Sequence, residues 1–191
     1  MKKEIINKIS PTNASQAYIK NIKDEIIDKQ ASMLFDDLNW IELKGISRDK
    51  TELFPIVLTG EGEKILLLHG FDSCFLEYRR LIPFLKNNYK LIIPDLYGFG
   101  FCPRSMENKY GFKYLIKHLN SILNCFSGND PIGIIGASMG GALALELARQ
   151  NPEKINKLLL LSPAGLAGQN PKIPWPLNHL GVFFLSQPFV R

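Results

Sequence analysis

The stretch PIGIIGASMGG, residues 131–141, decides the fold of this 191-residue chain. Its first half is an unbroken apolar run, which is typical of a strand buried on both faces of a sheet. Residues 140–150 follow it with Leu143, Leu147 and Ala148 on one side of a helical repeat. A strand that becomes a helix within a few residues, with Gly-x-Ser-x-Gly at the turn, predicts a strained and exposed serine.

The spacing of the glycines around Ser138 has a steric reason. Residues two positions away on either side approach each other closely in such a turn, so Gly136 and Gly140 avoid a Cβ clash. The Ser138 hydroxyl would then stand clear of the sheet at a helix N-terminus, which favours a developing negative charge. We therefore predict that Ser138 is a nucleophile. The alternative is a glycine-rich turn that merely starts a helix.

Outward from this turn, strand-like and helix-like segments alternate from residue 64 onward, which predicts an α/β fold with a mainly parallel sheet. The expected strands are 64–69, 90–94, 131–135 and 155–161, and the expected helices are 75–86, 110–126 and 140–150. Upstream, apolar residues three to four apart predict a helix over 13–35. A hairpin of strands 40–46 and 52–59 follows that helix.

Two further motifs precede the serine. His69-Gly70-Phe71-Asp72 ends the first long apolar strand, and Pro-Asp-Leu-Tyr-Gly-Phe-Gly occupies residues 94–100. Together with residues 136–140, and in this order, these motifs resemble those of the α/β-hydrolase superfamily over residues 38–165. The resemblance implies an α/β-hydrolase fold, with a mostly parallel sheet and flanking helices. It also implies that Ser138 is the catalytic nucleophile of a nucleophile elbow.

An acyl-transfer site needs two donors for the oxyanion. The residue after the nucleophile supplies one, the backbone N–H of Met139, and the loop after the earlier strand supplies the other, the backbone N–H of Phe71. A histidine at a strand end usually holds a loop by hydrogen bonding, so we expect a structural role for His69 rather than that of a base. The resemblance gives structural or pocket-loop roles to Gly70, Asp95, Gly98, Gly100, Gly136 and Gly140.

The rest of a catalytic triad is missing from the expected places. In this superfamily the acid and the histidine follow the nucleophile, but after Ser138 the chain has no Asp, two Glu and one His, His179. We expect a C-terminally truncated hydrolase whose last strands are missing. The alternatives are a complete chain in which His179 acts as base with Glu146 or Asp72, and a non-catalytic binding module. His118 is expected on the surface of its helix.

The chain is expected to have three parts. Residues 1–37 form a helical extension, residues 38–165 the hydrolase core, and residues 166–191 the start of a lid or cap segment. This last segment contains Trp175, Phe183 and Phe184, which indicates an apolar substrate or a lipid surface, or equally a lid that packs on its own core. An unfinished sheet would expose an edge strand, so we expect poor solubility or dependence on a partner.

Composition excludes several classes of function. The net charge is +5, but there is no basic stripe interleaved with aromatic residues, so nucleic-acid binding is not expected. Three widely spaced cysteines indicate neither a zinc site nor a disulfide framework, and each is expected to be a small buried residue. No apolar stretch is long enough for a signal peptide or a membrane span, so a cytoplasmic protein is expected.

The sequence therefore predicts a serine-dependent hydrolase that acts on a small, apolar, ester-like substrate or a related acyl or carbon–carbon bond. It implies no metal and no organic cofactor. Acyl transfer and cofactor-free haloperoxidation can use the same nucleophile motif, and a catalytically inactive binding module remains open.

Overall fold

The computed structural model describes residues 13–128 and 130–165, with side chains from residue 17. Within these residues the helices are α1 Asn13–Glu25, α2 Lys29–Leu34, α3 Ile82–Leu85, α4 Phe112–Phe126 and α5 Met139–Gln150. The strands are β1 Leu38–Lys44, β2 Thr51–Thr59, β3 Glu63–Leu68, β4 Tyr89–Pro94, β5 Ile132–Ala137 and β6 Ile155–Leu161, and a 3-10 helix spans Phe75–Tyr78.

The strands form one sheet in the order β1-β2-β4-β3-β5-β6. β1 and β2 form the predicted hairpin, β2 is antiparallel to β4, and the remaining pairs are parallel. The prediction of a mostly parallel α/β sheet is thus confirmed. Because β3, β4 and β5 are parallel, the loops that follow them meet at one edge of the sheet, where ligands of such folds bind.

Both faces of the central strands are buried, as the unbroken apolar runs predicted. In β3, Leu66 and Leu68 belong to a core cluster with α4 and α5, whereas Leu67 packs with Phe75 and Ile82 on the other face. Alternate side chains of a strand point to opposite faces, so only a continuous apolar run can fill two cores at once.

The single helix predicted over 13–35 is two helices. The carboxylate of Asp28 accepts hydrogen bonds from the N–H groups of Gln30 (2.9 Å) and Ala31 (3.3 Å), so it caps the start of α2. Apolar spacing continues across the break, which is why periodicity alone missed it. The helix predicted over 75–86 is likewise a 3-10 turn followed by the single turn of α3, which carries Pro83 near its start.

β6 lies at the edge of the described sheet, paired with β5. Three of its four leucines are exposed, with Leu159 52% exposed, whereas Leu160 packs against the core. Of the cysteines, only Cys102 is buried; Cys74 is intermediate and Cys125 is exposed, so the prediction that all three are buried is wrong. Cys125 lies on the exposed side of the last turn of α4, whereas Leu123 and Phe126 are on its buried side.

His118 was expected on the helix surface, and this is wrong. It is fully buried in α4, and its ring lies 4.7 Å from that of Phe54 and 6.0 Å from that of Tyr97. Within the described part of the chain neither ring nitrogen has a hydrogen-bond partner. Burial lowers the pKa of His118 to about 3, so the ring is neutral.

We expect His118→Leu to reduce the sensitivity of the fold to acid. The unfolded chain binds a proton at His118 below its ordinary pKa of 6.5 but the folded protein does not until about pH 3, so stability falls as the pH drops through this window. Between pH 7.5 and pH 5, the free energy of unfolding should therefore fall by about 2 kcal/mol more in the wild type than in the variant. Urea unfolding at both pH values measures this, and equal losses in both proteins would contradict it.

Candidate active site

Ser138 lies between β5 and α5 in a backbone conformation that L-residues rarely adopt, with φ 49° and ψ −116°. Its N–H donates to the carbonyl of Leu161 (2.9 Å), and its carbonyl accepts from the N–H groups of Gly141 (3.0 Å) and Ala164 (2.9 Å). The residue is exposed. The sharp turn expected from the motif is therefore present, and the loop after β6 helps to hold it.

The glycines of the turn are required by close backbone contacts. A Cβ on Gly136 would lie 2.5 Å from the carbonyl oxygen of Gly140, as the spacing predicted. A Cβ on Gly140 would instead collide with the carbonyls of Leu68 and His69, the latter at 2.5 Å. The start of α5 thus packs directly on the end of β3, a contact between distant segments that the motif did not reveal.

This packing brings the two predicted oxyanion donors to the same place as the serine. Met139 is the first residue of α5, where a backbone N–H has no acceptor within the helix. A Cβ on Gly70 would be 3.5 Å from the Cβ of Ser138, so the segment that continues to Phe71 passes beside the serine. Among the described residues, no hydrogen bond involves the N–H of Phe71.

Two residues that sequence reasoning missed hold this loop. The half-buried Glu77 accepts a hydrogen bond from the N–H of Gly70 through Oε2 (2.8 Å), and the buried Tyr78 hydroxyl donates to the carbonyl of Leu68 (2.7 Å). Both lie on the 3-10 helix that follows the loop. Their partners are backbone atoms, which leave no pattern in the side-chain sequence.

His69 is fully buried and both of its ring nitrogens are engaged. The N–H of Leu96 donates to Nε2 (2.9 Å), so Nδ1 carries the proton and donates to the carbonyl of Gly70 (2.8 Å). Burial lowers the pKa of His69, which keeps the ring neutral. In this geometry the histidine joins the loops after β3 and β4, and no ring nitrogen is free to accept a proton from Ser138.

Asp95 also joins the loop after β3 to the loop after β4. Its buried carboxylate accepts from the N–H groups of Phe75 and Phe101, both at 2.6 Å. Burial raises the pKa of Asp95 to about 7, although these two hydrogen bonds act in the opposite direction. Asp95 was expected at the pocket mouth, but it lies fully buried behind it. Of the two glycines expected with it, Gly98 lines a cavity with Phe71 and Met139, whereas Gly100 lines the groove that contains Asp72. A Cβ on Gly100 would overlap the Asp95 carboxyl.

The other residues considered as partners of Ser138 do not form a triad with it. Both carboxylate oxygens of Glu146 are bound by Arg149 (2.7 and 2.8 Å), which lowers its pKa to about 2. Asp72 is exposed with φ 53° and lines a separate groove. His179 lies outside the described residues, as does the whole predicted lid segment 166–191. Residues 13–128 and 130–165 therefore contain no histidine free to act as base.

Two cavities flank the loop that carries Phe71. One of about 380 Å³ is lined by Phe71 and Met139 and by aromatic residues after β4 and at the start of α4. The other, a groove of about 910 Å³, lies between α1 and the loops at Asp72–Cys74 and Gly100–Arg104. Across the described residues, no cluster of three metal-binding side chains is found and no helix has the length and apolarity of a membrane span.

The chain is similar in sequence to curated hydrolases. A 2-hydroxy-6-oxo-2,4-heptadienoate hydrolase of Pseudomonas putida is 32% identical over 111 residues, which are 56% of this chain and 40% of that protein. A soluble epoxide hydrolase of Corynebacterium is 31% identical over 131 residues, which are 65% of this chain and 44% of that protein. The chain thus spans less than half the length of each of these two curated relatives.

A solved structure has the same fold. The meta-cleavage product hydrolase CumD of Pseudomonas fluorescens IP01 superposes with a TM-score of 0.57 at 28% identity, over 63% of this chain and 45% of that one. Residues 64–187 match the family described as alpha/beta hydrolase fold. This match covers well over half of the sequence and includes the turn at Ser138, so the chain belongs to the α/β-hydrolase fold family.

Proposed function

We propose that this chain carries the nucleophile and oxyanion half of a serine hydrolase, which cleaves a small, apolar ester or a related acyl or carbon–carbon bond. The observation that carries the proposal is the backbone of Ser138, exposed and strained at the start of α5 beside the Gly70–Phe71 segment. Strain of this kind costs on the order of 1–3 kcal/mol and persists where the surrounding structure imposes it, chiefly at functional sites.

The chemistry follows from the surroundings of the serine. The Ser138 hydroxyl attacks the substrate carbonyl carbon, its proton passes to a base, and the carbonyl oxygen becomes an oxyanion. The backbone N–H groups of Phe71 and Met139 donate to that oxygen, and the N-terminus of α5 adds a favourable dipole. Collapse of this intermediate expels the leaving group, and water then releases the acyl group from Ser138. The reaction needs no metal and no organic cofactor.

The base comes from outside the described residues, because His69 and His118 are both buried and neither can reach a substrate. His179 is the remaining histidine of this chain. The relatives support hydrolysis as the class of reaction, since they are named as hydrolases of dienoates and of epoxides. The apolar substrate is inferred from the aromatic walls beside Phe71.

A fluorophosphonate probe tests the proposal, because it forms a covalent bond with an activated serine. We expect the full chain to gain one phosphonyl group, which mass spectrometry of peptides would locate at Ser138. Ser138→Ala should not react. Ser162→Ala is the matched control: Ser162 also has a positive φ (44°) and lies in the adjacent loop, yet its loss should leave labelling intact.

Further outcomes separate the alternatives. Loss of labelling in His179→Ala would make His179 the base. A folded wild-type chain that does not react would contradict activation of Ser138 by a base within these 191 residues. The second candidate, a non-catalytic binding module, would then compete with a hydrolase whose base lies outside them. That candidate has one observation in its favour, the absence of a free histidine among the described residues. Acyl transfer would instead appear as ester products when an alcohol acceptor is supplied.

A further inference from the structure

Three large apolar side chains protrude from the layer of short helices that packs on one face of the sheet. Ile27, between α1 and α2, is 98% exposed, Met33 in α2 is 60% exposed and Phe84 in α3 is 79% exposed. Leu34 of α2 and Ile82 of α3 are buried in the core, so these helices turn their other side outward. Apolar groups this exposed forgo the free energy that burial would supply.

The three side chains share one surface. Met33 lines a small cavity together with the first residues of α3, which places Phe84 beside α2. Ile27 precedes Asp28, whose carboxylate accepts a hydrogen bond from Nε of Arg79 (2.7 Å) just before α3. Residues 27–37 and 79–86 are therefore neighbours, and we call the outer surface that they form the α2–α3 face.

Cations surround the apolar side chains of this face. Lys29 begins α2, Arg80 lies just before α3 and Lys86 directly follows it, and all three are exposed. Within the described part of the chain none of the three forms an ion pair. Of the three carboxylates in residues 27–37 and 79–86, Asp28 and Asp36 are ion-paired with basic residues. Unpaired charge on the face is thus mainly positive.

This composition fits the surface of an anionic lipid bilayer better than it fits a protein partner. The buried centres of protein–protein interfaces are depleted in lysine and other charged residues, whereas here cations lie among the apolar side chains. The interface of a bilayer accepts apolar side chains at the level of its headgroups. If its lipids are anionic, it also attracts nearby Lys and Arg. Both features of the face would then be satisfied by one partner.

The α2–α3 face lies away from the serine turn. A Cβ on Gly60 would overlap the carbonyl oxygens of Lys86 and Tyr89, so the chain leaves α3 beside the start of β4. Ser138 and the loops after β3 and β4 lie at the other end of these parallel strands. Binding through the α2–α3 face therefore leaves the serine turn uncovered.

We propose that the α2–α3 face binds the surface of an anionic phospholipid bilayer. Its three apolar side chains enter the headgroup layer, and its three unpaired cations lie against the lipid phosphates. This interaction holds the protein at a membrane and takes no part in the chemistry at Ser138, so it does not depend on the proposed function.

Flotation with lipid vesicles tests the face. In about 0.1 M salt, we expect the full chain to float with vesicles of phosphatidylglycerol and phosphatidylcholine in equal amounts, but not with phosphatidylcholine alone. About 1 M salt should release it, because the charges are then screened. Phe84→Ser should weaken binding about tenfold and Arg80→Gln about fivefold. Both side chains are exposed, so neither substitution should alter the fold.

Met106→Ser and Lys113→Gln are the matched controls. They change an exposed methionine after β4 and an exposed lysine at the start of α4, both outside the face, and should bind as the wild type does. Binding that is unchanged in Phe84→Ser and Arg80→Gln would overturn the proposal and assign the contact to another surface, such as the exposed leucines of β6. Failure to float with either kind of vesicle would also overturn it. Sedimentation velocity would then show whether Phe84→Ser instead dissociates a dimer formed through this face.

Discussion

Replacing Gly140 by Ala is expected to destabilise the protein by about 3 kcal/mol. Alanine inside a helix stabilises it by up to about 1 kcal/mol relative to glycine, but here the cost of steric overlap is larger. The new Cβ would overlap the carbonyl oxygens of Leu68 and His69, which are backbone atoms at the end of β3 and cannot rotate away. The start of α5 would have to move, and Met139 would move with it away from Phe71. We therefore also expect slower phosphonate labelling of Ser138.

Gly133→Ala is the matched control for this substitution. Gly133 is also buried and lies in β5, five residues before Ser138, but a Cβ there would meet its nearest neighbours at ordinary distances of 3.6 Å or more. Urea unfolding should give a stability close to that of the wild type. If Gly140→Ala unfolds at the same urea concentration as Gly133→Ala, the close packing of α5 on β3 is contradicted.

Asp95→Asn is expected to change how stability depends on pH. The pKa of Asp95 is about 7 in the folded protein because of burial, against an ordinary value of 3.8. The folded protein therefore holds a proton that the unfolded chain releases, so this group's stabilisation is complete below pH 4 and is lost as the pH rises through 7. Between pH 4 and pH 7.5, the free energy of unfolding of the wild type should fall by on the order of 3 kcal/mol relative to that of the variant.

The measurement is the difference in free energy of unfolding between the two proteins at each pH, which cancels the opposite effect of the buried histidines. The variant itself should be less stable at pH 4, because an amide cannot accept hydrogen bonds at both Phe75 and Phe101 and one N–H loses its partner. Asp49→Asn, which removes an exposed carboxylate, is the matched control. A constant difference for Asp95→Asn would mean that its two hydrogen bonds offset the effect of burial.

Much of the fold could be predicted because its local signals are strong. The runs in β3, β4 and β5 are continuously apolar, and only a strand buried on both faces needs such a pattern. The predicted helix bounds were wrong where the apolar spacing continues across a break in the helix. The break before α2 depends on the carboxylate of Asp28, and the segment after residue 75 coils as a 3-10 turn although its composition suits a longer helix.

The part of the candidate site that has a strong local signal in the sequence could also be predicted. The turn at Ser138 is built by residues adjacent in sequence, so Gly136 and Gly140 could be interpreted from spacing alone. The roles of Glu77, Tyr78 and Asp95 could not, because each side chain binds backbone atoms that any residue type would supply. The burial of His118 was also hidden, since a histidine within an amphipathic helix is compatible with either face.

The order of residues along the chain was enough to establish the α/β class and the strained serine turn, because both are produced by interactions between near neighbours. Tertiary structure alone placed α5 against the end of β3, brought the N–H of Leu96 to Nε2 of His69, and enclosed the aromatic cavity beside Phe71. These features join segments separated by 27 or more residues, from His69 to Leu96 and from Leu68 to Gly140. Such contacts form only when the whole sheet has assembled, and no local pattern in the sequence encodes them.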